Sequence, residues 1–273
     1  MKRVLVTGAC GRAGRTVASE LISRGYAVRG FDLEEAPGAG WESVKGDIRE
    51  LKSVQEAMEG MEGVCHIAAI PKDTGEAEKI FDINMKGTFN VLEAGRLAGA
   101  KKVVLASSIV VYGFRAGGPV PEYLPVDEKH PCAPATTYAA TKLMGEILCR
   151  SYTLRYGLGT ICLRLGNFTL RENIFSKEHE RSELGSDLLA GKLVGEDVAQ
   201  AFRLAIEAEA QHAVYVITTK YRYRKDGEID RGEEVEWAAR ELGIRKIAPA
   251  VVEGASTFAT AKAEKELGYR PSC

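Results

Sequence analysis

Lys2-Arg3-Val4-Leu5-Val6-Thr7 runs without a break into Gly8-Ala9-Cys10-Gly11-Arg12-Ala13-Gly14. The first six residues have the apolar, β-branched character of a buried strand. Arg15 to Arg24 then places Val17, Ala18, Leu21 and Ile22 at helical spacing. Strand, glycine loop and helix in that order make a phosphate-binding turn. Gly8 allows the tight turn, Gly11 lets a diphosphate approach the backbone, and Gly14 lets the helix pack close to the strand. The helix start adds free N–H groups and the positive end of its dipole. A second strand, Tyr26 to Phe31, ends at Asp32, where a carboxylate grips both hydroxyls of an adenosine ribose. That carboxylate repels a 2′-phosphate, so NAD is expected in preference to NADP, with Arg12 and Arg29 near enough to soften the repulsion.

Outward from this unit, short apolar strands alternate with helices. Val44–Asp47, Gly63–Ala69, Lys102–Ser108, Gly159–Leu165 and Val214–Ile217 read as strands, and a long helix is expected from about Glu76 to Leu97. The pattern predicts an α/β fold, a Rossmann-type doubly wound parallel sheet with a small C-terminal substrate cap. Residues 1–165, with 194–220 returning to them, are assigned to the dinucleotide-binding core, and 166–193 with 221–273 to the cap. Ligands belong at the carboxyl ends of the strands.

Tyr138 and Lys142 stand four residues apart in Thr-Thr-Tyr-Ala-Ala-Thr-Lys, on a helix expected from Tyr138 to Arg155. Residues i and i+4 share one helix face. A free phenol ionises only near pH ~10, and an ammonium one turn away favours the phenolate, bringing it toward the range of a general base.

Composition narrows the classes. The 273 residues carry a formal net charge of −1, which leaves no electrostatic footprint for nucleic acid or an acidic membrane. The short basic-aromatic stretch Lys220-Tyr221-Arg222-Tyr223-Arg224-Lys225 is too isolated to change that. Met1-Lys2-Arg3 leads straight into the first strand, no apolar run reaches membrane-spanning length, and a cytoplasmic location is expected. Six cysteines without a Cys-x-x-Cys pair suit reduced thiols, and four histidines show no ligand spacing, so no metal is implied.

Taken together the motifs resemble an extended short-chain dehydrogenase/reductase of the NAD-dependent epimerase/dehydratase group. They are Thr7-Gly8-x-x-Gly11-x-x-Gly14, Gly46-Asp47-Ile48-Arg49, His66-Ile67-Ala68-Ala69 and Asn84-x-x-Gly87-Thr88-x-Asn90. Ser107-Ser108-x-x-Val111-Tyr112-Gly113, Glu128-x-His130-Pro131, Tyr138-x-x-x-Lys142, Arg164-x-x-Asn167 and the terminal Lys262–Pro271 continue the series. The resemblance implies roles position by position. Tyr138 is the general acid/base, Lys142 tunes it and binds the nicotinamide ribose, and Ser108 donates to the reacting oxygen. Gly8, Gly11, Arg12, Ala13 and Gly14 line the diphosphate, Asp47 and Ile48 contact adenine, and Ala68 and Ala69 form a small floor beneath the cofactor. Asn84 either touches cofactor or substrate or caps a turn. Relatives use two long helices for a four-helix dimer interface, which implies a homodimer. Leu143, Ile147, Leu148 and Tyr152 face either a partner subunit or the sheet.

Two departures sharpen the substrate. Ile109 and Val110 occupy the positions of the Asp-Glu pair that eliminates water in sugar-nucleotide dehydratases, and aliphatic side chains do no acid/base work. Only 26 residues, 168 to 193, separate Asn167 from the late Val194-Gly195-Glu196-Asp197-Val198-Ala199 helix start. Nucleotide-sugar epimerases use a longer insertion there. The chain resembles the short uronate dehydrogenases instead, with Asn167, Arg171 and Arg181 expected on a small sugar or sugar-acid substrate beside Ser108. A bidentate arginine suits a carboxylate, although Arg171, Lys177, His179 and Arg181 also read as solvated loop charge. Three functions remain: an NAD-dependent dehydrogenase of a small sugar or sugar acid, an NAD-dependent sugar epimerase, and a non-catalytic cofactor-sensing protein.

Overall fold

A computed structural model describes residues 2–114, 118–169, 189, 191–221 and 233–272. Seven strands form one wholly parallel sheet: β1 (Arg3–Thr7), β2 (Ala27–Asp32), β3 (Glu42–Lys45), β4 (Gly63–His66), β5 (Lys102–Ser108), β7 (Gly159–Leu165) and β10 (His212–Ile217), in the order β10-β7-β5-β4-β1-β2-β3. The chain winds outward in opposite directions from β1 and β4, which are paired with Thr7 opposite His66. A crevice opens at the carboxyl ends where the winding reverses. Central β5 is buried along its whole length, as the apolar run Val-Val-Leu-Ala requires of a strand covered on both faces.

Helices α1 (Arg12–Ser23), Gly195–Glu207 and Ala261–Leu267 cover one face, around Val17, Leu21, Phe202 and Tyr269. Helices α2 (Leu51–Met58), α4 (Gly87–Leu97) and α5 (Thr137–Tyr156) cover the other, around Phe31, Met58, Leu92 and Tyr152. Two short pairings stand outside the sheet: β6 (Tyr123–Leu124) with β11 (Lys246–Ile247), and β8 (Asn167–Thr169) with β9 (Lys192–Val194). A third cluster around Tyr112, Leu124, Val126, Val251 and Phe258 joins the loop after β5 to the C-terminal segment.

Local chemistry moves several expected boundaries. Helix α1 starts at Arg12, with Gly11 as its N-cap, so glycine loop and helix are continuous. Strand β4 stops at His66 because the Ile67 and Ala68 N–H groups turn back to the Thr7 carbonyl at 3.3 and 3.1 Å. Asp47 lies in the turn beyond β3. The long helix expected from Glu76 is α3 (Ala77–Phe81) and α4 joined by a π-turn at Asp82–Lys86, with Asn84 buried inside it.

Candidate active site

The glycine loop is closed by its own backbone. Gly8 takes φ +73°, donates to the Phe31 carbonyl at 2.9 Å and accepts from the Gly11 N–H at 3.1 Å. A Cβ on Gly8 would stand 2.7 Å from the Ala68 nitrogen, and one on Gly14 only 2.0 Å from the Gly8 oxygen. A Cβ on Gly11 would meet nothing closer than that oxygen at 3.3 Å, which leaves its outer side open to a ligand. No side chain caps α1, so its first-turn N–H groups are suited to an anion. The Asp32 carboxylate closes the other side. It accepts from the Cys10 N–H at 2.9 Å and the Leu33 N–H at 2.7 Å, and each oxygen keeps a lone pair for a hydroxyl. The cradle therefore fits a dinucleotide.

Arg29, expected to soften charge beside Asp32, is committed elsewhere. It donates to the Ala57 and Glu59 carbonyls, both at 2.9 Å, and pairs with Glu42. Arg12 remains exposed at the loop and its guanidinium lies 5.2 Å from the Phe168 ring centroid. Ala13 follows Arg12 in the first turn of α1. Asp47 is gripped by Arg49, which holds its carboxyl below the usual range, and Arg49 also reaches Asp82 at 3.2 Å. Ile48 is buried, and its carbonyl accepts from Asn90 Nδ2 at 2.8 Å. Ala68 and Ala69 are partly buried just past β4.

At the neighbouring strand end, Ser108 closes β5 and caps the short 3₁₀ turn Ile109–Tyr112, its Oγ accepting from the Val110 N–H at 3.3 Å. Thr136 caps α5 by accepting from the Ala139 N–H, and Gly157 at φ +71° ends it, so Tyr138 sits in the first turn. Burial holds the Tyr138 phenol above its ordinary value, against a smaller downward pull from the Ser108 hydroxyl. Lys142 is buried, and desolvation brings its ammonium down to about 8. Its Nζ donates to the Ala106 carbonyl at 2.8 Å and lies 5.7 Å from the Tyr138 ring centroid. The lysine is thus turned onto the end of β5, a hydrogen bond the sequence did not signal.

Asn84 contacts the scaffold. Its Oδ1 accepts from the Ile70 N–H at 2.8 Å, and its Nδ2 donates to the Ile70 carbonyl and to Thr141 Oγ1, both at 3.2 Å. Thr141 Oγ1 donates in turn to the Tyr138 carbonyl at 2.7 Å, so the π-turn ties the post-β4 loop to α5. Thr7, His66 and Thr88 form a further buried chain, with His66 pushed down to about 3 by burial and by the Lys142 charge, hence neutral.

Beneath Ser108 lies a buried group, Ser107, Glu146, Arg164 and Tyr112, of which the sequence motifs named all but Glu146 without giving them a role. Glu146 extends the i, i+4 series from Tyr138 and Lys142, which was the available signal. Asn167 is exposed at the start of β8, its N–H on the Gly191 carbonyl at 2.7 Å. Arg171, Lys177, His179, Arg181 and the stretch Arg222–Lys225 lie outside the described residues. No metal-binding group of His, Cys, Asp or Glu occurs among the described residues.

Comparison with known proteins adds a family and a fold. The model of the NAD-dependent epimerase/dehydratase family matches residues 4–185. L-Arabinose 1-dehydrogenase (NAD(P)+) of Haloferax volcanii is 32% identical over 76% of this chain and 84% of its own. Uronate dehydrogenase of Pseudomonas syringae pv. tomato is 31% identical over 60% of this chain and 59% of its own. UDP-glucose 4-epimerase of Streptomyces lividans is 32% identical over 58% of this chain and 50% of its own, so the chain spans half to three-fifths of these last two relatives. A short-chain dehydrogenase/reductase superfamily protein from Agrobacterium tumefaciens, crystallised with NAD, superposes at TM-score 0.75 and 22% identity over 99% of this chain and 93% of its own. Likeness at that identity speaks for the fold.

Proposed function

From the premise that the chain belongs to the NAD-dependent epimerase/dehydratase family, we propose that it is an NAD-dependent oxidoreductase moving a hydride between a small sugar or sugar acid and the nicotinamide. The observation that carries this reading is the placement of Ser108 at the end of β5 with Tyr138 and Lys142 one turn apart on α5, Lys142 tied to the Ala106 carbonyl of the same strand, beside the glycine cradle. In the oxidative direction Tyr138, as phenolate, takes the proton of the substrate hydroxyl. The carbon gives up its C–H electron pair as hydride, and the C=O bond forms from the O–H pair. Ser108 donates to that oxygen and steadies its charge. Lys142 supplies positive charge beneath the phenolate and a donor for the nicotinamide ribose. Bound NAD supplies the hydride acceptor. Asp32 favours NAD over NADP, and the commitment of Arg29 to other partners strengthens that preference.

The sugar and uronate dehydrogenase relatives support a small substrate. Arg171 and Arg181 are proposed as partners of a substrate carboxylate, with Asn167 beside them. The UDP-glucose 4-epimerase relatives favour a second reading, a sugar epimerase on the same residues. A panel of L-arabinose, D-glucuronate, D-galacturonate and UDP-glucose with NAD separates them. Absorbance at about 340 nm rises with a sugar or uronate under the first reading. UDP-glucose converted to its epimer with no net NADH supports the second and overturns the first.

A homodimer is proposed on the apolar side chains exposed along α3, α4 and α5: Phe81, Phe89, Leu97, Ile147, Leu154 and Tyr156. Leu143, Leu148 and Tyr152 pack inward with the core clusters, so only Ile147 of the four candidates is exposed. Sedimentation should give a dimer, and Ile147→Glu with Leu154→Glu a monomer. No described helix is long and apolar enough to cross a membrane. The unpaired thiols of Cys10, Cys65, Cys132, Cys149 and Cys162 favour a reducing, cytoplasmic setting.

A further inference from the structure

Glu146 lies on α5 one turn beyond Lys142 and two beyond Tyr138, facing the sheet. Its Oε1 accepts from Ser107 Oγ, the residue before Ser108 on β5, and from Arg164 Nε at 3.0 Å. Its Oε2 accepts from Arg164 Nη2 at 2.8 Å. Arg164, on β7, directs Nη1 to the Tyr112 hydroxyl at 3.0 Å, and that hydroxyl donates to the Asp127 carbonyl at 2.8 Å. The guanidinium also lies 4.9 Å from the Tyr112 ring centroid. Both charged side chains are only 6% exposed.

Burying two charges costs several kcal/mol per ion, and well-packed apolar residues of similar volume are often as stabilising. What apolar packing lacks is direction. A carboxylate that accepts from β5 and from β7 permits one height of α5 over the sheet, whereas aliphatic side chains in the same space would let the helix slide. The clamp sits level with Ser107, so the height it fixes is the one that brings Tyr138 to Ser108.

We propose that Glu146 and Arg164 are positioning residues that set the separation of the Tyr138 hydroxyl from Ser108, with Ser107 as the link to β5. This rests on the catalytic reading of Ser108 and Tyr138 given above. The clamp holds the ends of β5 and β7 in register with the middle of α5, and the site works only while that register is kept.

The test uses the full-length protein with Glu146→Leu/Arg164→Met, Ser107→Ala and, as reference, Tyr138→Phe. NAD affinity, the pH profile of kcat with whichever of L-arabinose, D-glucuronate or D-galacturonate yields NADH, and the ring-carbon NMR titration of the tyrosine signal that Tyr138→Phe removes are measured for each. The apolar double variant is expected to melt near or above the parent with unchanged NAD affinity. Its kcat should fall ~10–100-fold, the scale of a misplacement of about 1 Å. The ascending limb of its pH profile should move to higher pH, since the Ser108 hydroxyl that favours the phenolate is moved away from it. Ser107→Ala removes one hydrogen bond and keeps the ion pair, so its kcat falls less and its limb moves the same way. Unchanged kcat and an unshifted titration in Ser107→Ala overturn the proposal, as they do in a folded double variant. If the double variant does not fold, Ser107→Ala and its substrate-free NMR titration decide alone. Full turnover in Tyr138→Phe would instead remove the catalytic reading itself, and the clamp's role with it.

Discussion

Around Gly8, Gly14 and Asp32 the site is shaped chiefly by backbone, whereas around Ser108, Tyr138 and Lys142 the shaping falls to buried side chains drawn from several elements. On the cofactor side, peptide N–H groups of Cys10 and Leu33 hold the Asp32 carboxylate, and the absence of side chains makes the cradle. On the catalytic side, Ser107, Asn84, Thr141, Glu146 and Arg164 do the holding. A backbone-built site tolerates no added atom, while a side-chain-built one tolerates no lost partner. The two should therefore fail differently, and the variants below try that difference from the largest expected effect to the smallest.

Tyr138→Phe keeps the ring and removes the proton-transfer group, so turnover should fall ~10²–10⁴-fold while NAD titration by fluorescence is unchanged. Loss of NAD binding there would merge the two sides. Arg164→Met alone leaves the Glu146 charge buried and unpaired, and denaturant unfolding should show a loss of roughly 3–5 kcal/mol.

Lys142 gives the pH test. Its folded-state value of about 8 lies below the ordinary 10.5, so between those values the unfolded chain binds the proton the folded chain has lost. This site's contribution to stability therefore rises with pH through that window, and below about pH 8 the buried charge costs about 3 kcal/mol. Lys142→Met should lift stability at neutral pH by that amount less ~1 kcal/mol for the lost hydrogen bond to Ala106. It should also flatten the pH dependence of unfolding from 8 to 10.5. Turnover should collapse meanwhile, so a variant both less stable and fully active would break the assignment.

Gly14→Ala puts a Cβ 2.0 Å from the Gly8 oxygen. Overpacking of that kind costs ~1–3 kcal/mol, and the loss should appear in NAD affinity, with any residual turnover at saturating NAD near the parent's. The smallest effect is expected outside both halves. A charge-assisted contact of about 1.5 kcal/mol predicts a roughly tenfold rise in the Michaelis constant for a uronate in Arg171→Ala or Arg181→Ala. Unchanged kinetics in both would return these arginines to solvent.

The same contrast explains what was legible. Gly8, Gly11, Gly14 and Asp32 lie within 25 residues of one another, and each obeys a steric or electrostatic rule that needs only local context. Parallel strands betray themselves by apolar runs, and the spacing of Tyr138 and Lys142 is visible on one helix turn. Glu146 and Arg164 are 18 residues apart and Arg164 and Tyr112 are 52 apart. Their pairing exists only once β7 lies beside β5 and beneath α5. Before folding, a lone Arg or Glu on an amphipathic element reads as a solvated charge. The direction of Lys142 was hidden for a related reason: the Ala106 carbonyl that draws it lies one residue past the last β5–β4 pair, at Leu105.

The π-turn at Asp82–Lys86 has a consequence for chain length. It accommodates one residue more than the α-turn it replaces, and each α-helical residue advances the helix by about 100°. Removing a single residue between Asp82 and Lys86 would leave a continuous helix rather than a broken one. Because the π-turn absorbs the extra residue locally, Ala77–Phe81 would keep its phase against Gly87–Leu97 and Ile80 its buried position. What would be lost is the bulge itself, and with it the Asn84 clasp on Ile70. Helix continuity and phase would therefore both be poor guides to whether a shortened relative keeps this site: the presence of the extra residue between Asp82 and Lys86 is what to compare.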